Sequence, residues 1–328
     1  MDETYRVILV QKDRYLVRRA GEELYCVMSG SLRFQDEFPV VGDDVEVIAN
    51  PYGDSLIRSI RPRRTVFCRP DRGGHADGFV KTMKVQPLVA NIDYVFIITA
   101  LNCDFSVNRI ARYAAMTAAG GAIPVAVLTK ADICPNVEVF EAQAAALSDN
   151  IQVVSVSAYT GFGMEKLRAF LKPGATIALL GSSGAGKSTL INTLAGREIL
   201  RVGEIREKDS KGRHTTTRRE LIELDSVSFI DTPGLRELGM IDAAEGIADT
   251  FSDITELIGR CAFSNCSHRT EPGCAIRLAL EDGSLSQERW EMYARLEEEN
   301  RWSVDRKNDR MVSIALRRRE LNRNGKRR

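Results

Sequence analysis

Eight residues, Gly181-Ser182-Ser183-Gly184-Ala185-Gly186-Lys187-Ser188, match the pattern G-x-x-x-x-G-K-[ST] at every constrained position. A loop of this kind binds phosphate. Its glycines let backbone N–H groups turn inward on anionic oxygens, and the helix that follows adds the positive end of its dipole. Lys187 is placed to neutralise the β- and γ-phosphates of a nucleoside triphosphate and Ser188 to ligate Mg²⁺, with Thr189 closing the segment. The apolar run Thr176-Ile177-Ala178-Leu179-Leu180 predicts a strand before the loop, and a helix is predicted from Lys187. Strand, loop and helix together are the context the motif requires.

Three further segments have the chemistry to complete such a site. Asp231-Thr232-Pro233-Gly234 follows the strand-like run Val227-Ser228-Phe229-Ile230. Asp231 is expected to hold Mg²⁺ through water, and the Gly234 N–H to sense the γ-phosphate. Gly212-Arg213-His214-Thr215-Thr216-Thr217 lies between, and one of its threonines is expected to reach Mg²⁺ and the γ-phosphate when GTP is bound, Thr216 first and Thr215 second. Thr129-Lys130-Ala131-Asp132 follows another predicted strand, Pro124 to Leu128. The Asp132 carboxylate suits the N1–H and 2-amino donors of guanine, neither of which adenine offers, and an unpaired buried carboxylate is costly. Lys130 would lay its stem over the base. Ser157-Ala158, after the strand-like run 151–156, would support the base through its backbone. Thr129 stands where such loops usually carry Asn, so guanine selectivity is expected with modest affinity. Leu235 follows the D-x-x-G turn where many GTPases place a Gln that orients the attacking water, so slow intrinsic turnover, accelerated by a partner, is expected.

The order of these segments is inverted. The base-reading residues 129–132 precede the phosphate loop at 181–188, whereas in ordinary GTPases the phosphate loop comes first. Both can meet around one nucleotide if the domain is circularly permuted, since a fold is defined by neighbours in space. A P-loop ATPase unconnected with RNA is the less favoured reading, because of Asp132 and of the barrel described below.

Cys261-x4-Cys266-x-His268-x5-Cys274 supplies three thiolates and one imidazole within fourteen residues. A tetrahedral zinc ion takes such a set, and four protein ligands leave no open position, so the ion would be structural. Iron–sulfur is the weaker alternative. The metal is expected to staple a C-terminal unit too small to build a large core by itself.

The 328 residues suggest two or three domains. Residues 1–70 read as short strands separated by turns, which suits a small β-barrel, an OB-fold first among them, with RNA binding its common use. Residues 71–250 alternate strands and helices, the pattern of a mostly parallel α/β sheet with ligands at the carboxyl ends of its strands. Residues 251–328 are predicted as a helical zinc-binding unit with a basic tail: from Arg301 onward eleven Lys or Arg face Asp305, Asp309 and Glu320, a net of +8 in a chain whose total is +1. Such a tail favours a phosphate-rich partner or is a solvated end. The arginines at 58, 61, 63, 64, 69 and 72 are either a track for a phosphate backbone or a solvated linker, and residues 73–86, rich in glycine and polar side chains, are expected to be mobile. Seven cysteines without a secretory leader argue against a disulfide framework. An acidic start and no long apolar run point to a cytoplasmic protein with no membrane partner.

The inverted motif order, the N-terminal barrel and the Cys₃His cluster together resemble the circularly permuted GTPases of small ribosomal subunit biogenesis, the ribosome small subunit-dependent GTPase A family. The resemblance covers almost the whole chain and is carried by Gly181 to Thr189, by Gly212 to Thr217, by Asp231 to Gly234 and by the run from Cys266-Ser267-His268 to Cys274-Ala275-Ile276-Arg277. It implies GTP hydrolysis to GDP and phosphate with Mg²⁺, one structural Zn²⁺, and a monomer binding the small (30S) ribosomal subunit and its 16S rRNA late in assembly. It also implies hydrolysis stimulated by the subunit. Some relatives carry a histidine shortly after the D-x-x-G turn; here Gly239-Met240-Ile241-Asp242 has none, and no catalytic histidine is carried over. An rRNA-assembly factor that binds GTP with negligible hydrolysis is the alternative.

Overall fold

The computed structural model describes residues 3–35, 37–71, 84–102, 104–200, 220–224, 226–231 and 243–302. The expectations placed on Thr215, Thr216, Gly234, Leu235 and the basic tail fall outside them.

Strands β1 (Glu3–Gln11), β2 (Arg14–Arg19), β3 (Glu22–Met28), β4 (Asp44–Ile48) and β5 (Ser55–Ile60) form the N-terminal barrel. Side chains alternate along each strand, and one set turns inward: Tyr5 and Val7, Tyr15 and Val17, Cys26 and Met28, Val45 and Val47, and Ile57 make its core. The strands pair in the order β1-β2-β3-β5-β4, and β4 returns to β1 to close the ring. Only β3 and β5 run parallel, with the short helix α1 (Gly30–Gln35) lying between β3 and β4 in the chain. This is a five-stranded OB-like barrel.

Part of the basic string at 58–72 has partners within the protein. Arg63 grips Asp43, whose side chain is wholly buried, through Nε–Oδ1 (2.7 Å) and Nη2–Oδ2 (2.8 Å), and Asp43 also accepts from the Val40 N–H. Arg64 pairs with Asp93 and Arg69 donates to Gln86. Arg63 is thus committed to a buried partner, while Arg58, Arg61 and Arg64 stay exposed and Arg72 lies outside the described residues. Arg63→Met leaves a buried carboxylate without its cation, and equilibrium urea unfolding is expected to show a loss of about 2–3 kcal/mol. Of the segment 73–86 expected to be mobile, residues 73–83 lie outside the described residues. Residues from Lys84 belong to β7 (Lys84–Ala90), which pairs antiparallel with β6 (Val66–Asp71).

The α/β part runs β8 (Tyr94–Ala100), α2 (Val107–Ala119), β9 (Ile123–Thr129), α3 (Val137–Ala145), β10 (Gln152–Ser155), α4 (Met164–Arg168), β11 (Thr176–Gly181), α5 (Lys187–Ala195), β12 (Glu220–Leu224) and β13 (Val227–Asp231). Every residue of β8 and of β11 is buried, as expected for strands covered on both faces. The period of two splits them between two cores. Val95, Ile97, Ala126, Leu128, Ala178 and Leu180 face one layer; Phe96, Ile98, Val125, Val127, Ile177 and Leu179 face the other. In space the order is β10-β9-β8-β11-β13-β12, parallel except for β12. The strand carrying the phosphate loop is thus central in space although fourth in sequence, which is the permutation the motif order demanded.

Helices α6 (Ala244–Thr250), α7 (Ser252–Ile258), α8 (Ala275–Asp282) and α9 (287–302) follow. Their buried apolar residues do not make a core of their own. Phe251, Ile254, Ile276, Ala279, Leu285 and Leu296 join the same apolar cluster as Val95 and Ile97. The α6–α2 contact is close enough that a Cβ on Gly246 would lie 2.1 Å from the Ala115 carbonyl oxygen. Arg112 of α2 pairs with Glu299 of α9, and the Asn300 side chain accepts from the Ala243 N–H.

The barrel is joined to the α/β sheet by polar contacts of its own. Arg6 donates from Nη2 to Thr176 Oγ1 (2.8 Å) and to the Asn91 carbonyl (3.1 Å). Leu9 of β1 pairs with Glu220 of β12, and Arg18 of β2 pairs with Glu223 of β12 at 2.7 Å.

Candidate guanine-nucleotide site and metal centre

Strand register brings the motif residues to one edge. Gly181 pairs beside Ile98, Thr129 beside Ala100, Ser155 beside Leu128, and Asp231 beside Leu179, all at carboxyl ends of parallel strands. Gly181 has no room for a side chain, since a Cβ would lie 2.3 Å from the Ile98 carbonyl oxygen. Gly184 and Gly186 take φ +84° and +95°, which turns the backbone around the loop and into α5. Gly186 is the N-cap of α5. Lys187 and Ser188 are buried in its first turn, Thr189 is exposed, Ala185 is buried, and Ser183 and Gly184 face solvent. Lys187 Nζ donates to the Gly181 (3.0 Å) and Ser182 (2.7 Å) carbonyls, so the cation sits over the nest of the loop.

The base-reading segment lies against this loop. Thr129 is buried, and its hydroxyl donates to the Ala185 carbonyl at 2.6 Å. The threonine is therefore a brace between base-reading and phosphate-binding loops. Thr129→Val keeps the shape, leaves that carbonyl without its donor, and is expected to weaken GDP binding about tenfold in a fluorescent-nucleotide titration. Lys130 sits in the left-handed region, φ 62°, a conformation that costs a non-glycine residue energy and is held here by its neighbours. Ala131, Asp132 and Ile133 form a single 3-10 turn after it, anchored by the Ala131 N–H to the Val156 carbonyl. Asp132 is exposed, open to a base. Ser157 is fully buried and accepts from the Thr160 N–H, and Ala158 follows at the edge. Thus residues 129–132, 157–158 and 181–189 converge, and the backbone places Asp231 on the strand beside the loop.

One residue in this assembly carries no sequence signal. Asp104, in the loop between β8 and α2, accepts the Ser182 hydroxyl through Oδ2 at 2.5 Å and Arg109 Nη2 through Oδ1 at 3.0 Å. A single Asp ahead of an N-cap serine is too common to be read as part of a site.

In the second centre, the ligand atoms of Cys261, Cys266, His268 and Cys274 all lie within 4.8 Å of one another. His268 Nδ1 is 3.6 Å from both Cys261 Sγ and Cys274 Sγ. Tetrahedral zinc with Zn–S near 2.3 Å and Zn–N near 2.0–2.1 Å requires a sulfur–nitrogen separation of about 3.6 Å. The donor set fits that ion. His268 takes φ 60° and packs its ring edge-on to Trp290, centroids 5.5 Å apart. Burial holds the imidazole below its ordinary pKa, which favours the neutral, ligating form. The Cys266 thiol is pushed up to about 11, by burial first and also by the adjoining sulfurs of Cys274 and Cys261; a divalent cation reverses that balance. Glu271 ties the loop by accepting from Ser267 Oγ (2.6 Å) and from the Ser267, Arg269 and Thr270 N–H groups. Those bonds, the Ser267 hydroxyl first, hold its carboxyl down to about 2.

An OB-like barrel, a permuted nucleotide-binding sheet and a Cys₃His loop define a circularly permuted P-loop GTPase with two flanking units. Residues 60–241 match the RsgA GTPase family. Over 322 residues the chain is 39% identical to the small ribosomal subunit biogenesis GTPase RsgA 2 of Listeria monocytogenes, spanning 97% of this chain and 88% of that protein. The crystal structure of YjeQ from Thermotoga maritima shares the fold with a TM-score of 0.66 at 24% identity, over 91% of this chain and 98% of that one. YloQ, described as a circularly permuted GTPase, does so with 0.60 at 21%, over 93% and 96%. The chain belongs to the RsgA GTPase family, whose members are GTP hydrolases.

Proposed function

We propose that this protein hydrolyses GTP to GDP and phosphate as a timer for its binding to the small ribosomal subunit during late assembly. The convergence of a complete phosphate loop with a Thr-Lys-x-Asp base loop at one sheet edge carries the proposal, together with the names of relatives about 40% identical over nearly the whole chain. Asp132 reads guanine, Lys130 covers the base, and Ser157-Ala158 supports it. The loop 181–189 holds the phosphates, with Lys187 neutralising developing charge and Ser188 and Asp231 serving Mg²⁺. Thr216 or Thr215 and Gly234 complete the γ-phosphate contacts. Cys261, Cys266, His268 and Cys274 hold one structural Zn²⁺.

The units are taken as 1–70, 71–250 and 251–328, working as a monomer in the cytoplasm on 16S rRNA. Among the described residues no helix is long and apolar enough to cross a membrane. Phosphate release from GTP and from ATP, with and without purified small subunits, tests the proposal. GTP turnover stimulated strongly by subunits, with ATP inert, is the expected result. GTP turnover unchanged by subunits would leave a nucleotide-binding assembly factor instead.

A further inference from the structure

Ser182 is held from two sides. Its carbonyl accepts from Lys187 Nζ, and its hydroxyl donates to Asp104 Oδ2. The first hold competes with function, because Lys187 must turn toward phosphate oxygens when a nucleotide binds. The second does not. Asp104 approaches from the β8–α2 loop and is itself fixed. Its N–H donates to Asn102 Oδ1 (3.0 Å), its carbonyl accepts from Thr99 Oγ1 (3.2 Å) and from Arg109, and its Oδ1 accepts from Arg109 Nη2. Thr99 is buried at the end of β8, and Ser106, two residues beyond Asp104, caps α2. The grip on the phosphate loop is thus anchored in the sheet and in a thirteen-residue helix. A bare carboxylate beside an anion-binding loop would repel phosphate; Arg109 offsets that charge while leaving Oδ2 to Ser182.

We propose that Asp104 is a positioning residue for nucleotide binding: through the Ser182 hydroxyl it keeps the first turn of the phosphate loop in its open, binding-competent shape after Lys187 releases the loop carbonyls. Preorganising the loop removes an ordering cost that GDP and GTP would otherwise both meet. The inference rests on reading residues 181–189 as the guanine-nucleotide loop.

The test measures GDP and GTP dissociation constants of the full-length protein by fluorescent-nucleotide titration, with thermal unfolding of the nucleotide-free protein alongside. Ser182→Ala and Asp104→Ala are each expected to weaken both nucleotides about tenfold, the worth of one charge-assisted hydrogen bond. The double variant should be no weaker than either single one, since both remove the same contact. Asp104→Asn keeps an acceptor oxygen for Ser182 and should stay within about threefold of the parent. Additive losses, an Asp104→Asn as weak as Asp104→Ala, or an unaffected Ser182→Ala would each overturn the role. Should Asp104→Ala not fold, Ser182→Ala and Asp104→Asn decide alone. A parent protein that binds neither GDP nor GTP would instead remove the nucleotide-site reading itself.

Discussion

Asp132→Asn is expected to lower affinity for GTP by about a thousandfold and to transfer preference to xanthosine triphosphate. A carboxylate can accept two hydrogen bonds in one plane, from N1–H and the 2-amino group of guanine. Each is charge-assisted and worth roughly 1.5–3 kcal/mol; Asn strips the charge from one and turns the other into a donor–donor clash, together about three decades of binding. An Asn amide at this position can accept from N1–H but presents an N–H donor toward the 2-amino donor. Xanthine carries a carbonyl oxygen at that carbon, and the same amide donor then finds an acceptor. The segment is built to make the swap informative. Lys130 in its left-handed conformation and the turn at Ala131–Ile133 set the backbone at residue 132, and the Thr129–Ala185 bond fixes its distance from the phosphate loop. None of these contacts involves the Asp132 side chain. Competition of GTP, ATP and xanthosine triphosphate against a fluorescent GDP checks the prediction; equal loss of all nucleotides would mean the segment does not read the base.

Cys274→Ala should abolish binding of one zinc ion per chain and open the loop 259–274 without unfolding the protein. Apparent zinc binding energies at four-ligand sites are roughly 10–16 kcal/mol, and the loss of one thiolate removes a large part of that. Cys274 is both a proposed ligand and the N-cap of α8, and it is buried. Its loss frees Cys261, Cys266 and His268 at once. The damage is expected to stop there, because α6 packs on α2 and Phe251, Ile254 and Ile276 belong to the main core. Hydrogen exchange should therefore rise about a hundredfold in 259–274 while α2 and β8 stay protected, the pattern of a local unfolding unit. Metal analysis decides the first half, with visible charge-transfer absorption pointing to an iron–sulfur centre instead. Global collapse of exchange protection would refute the second half.

The sites were legible in the sequence to unequal degrees. The phosphate loop was complete because every constrained position has a local cause: glycines for turning, lysine for charge, a helix start for its dipole. The Cys₃His cluster is equally plain, since three thiolates and one imidazole within fourteen residues can close on one ion without long-range help. In sequence Thr129 stands only where an Asn is usual; its bond to Ala185, 56 positions away, gives it the task of bracing two loops. Asp104 is silent in the sequence, since nothing in its neighbours announces a partner 78 positions away. The arginines after the barrel looked like a possible phosphate track, but Asp43 and Asp93 claim two of them. A charge in a sequence does not reveal the opposite charge that folding brings to it.

The inverted order of base-reading and phosphate-binding loops was determined by the sequence alone, and with it the permuted architecture, because motif chemistry is local and order along the chain needs no coordinates. Tertiary structure decided what holds those loops together: which strands are neighbours, which hydroxyl braces which carbonyl, and whether the C-terminal helices stand alone or share the core. Such facts depend on contacts between residues far apart in the chain. The energies that select them come from burial and from pairing of specific atoms, and these exist only once the sheet has formed.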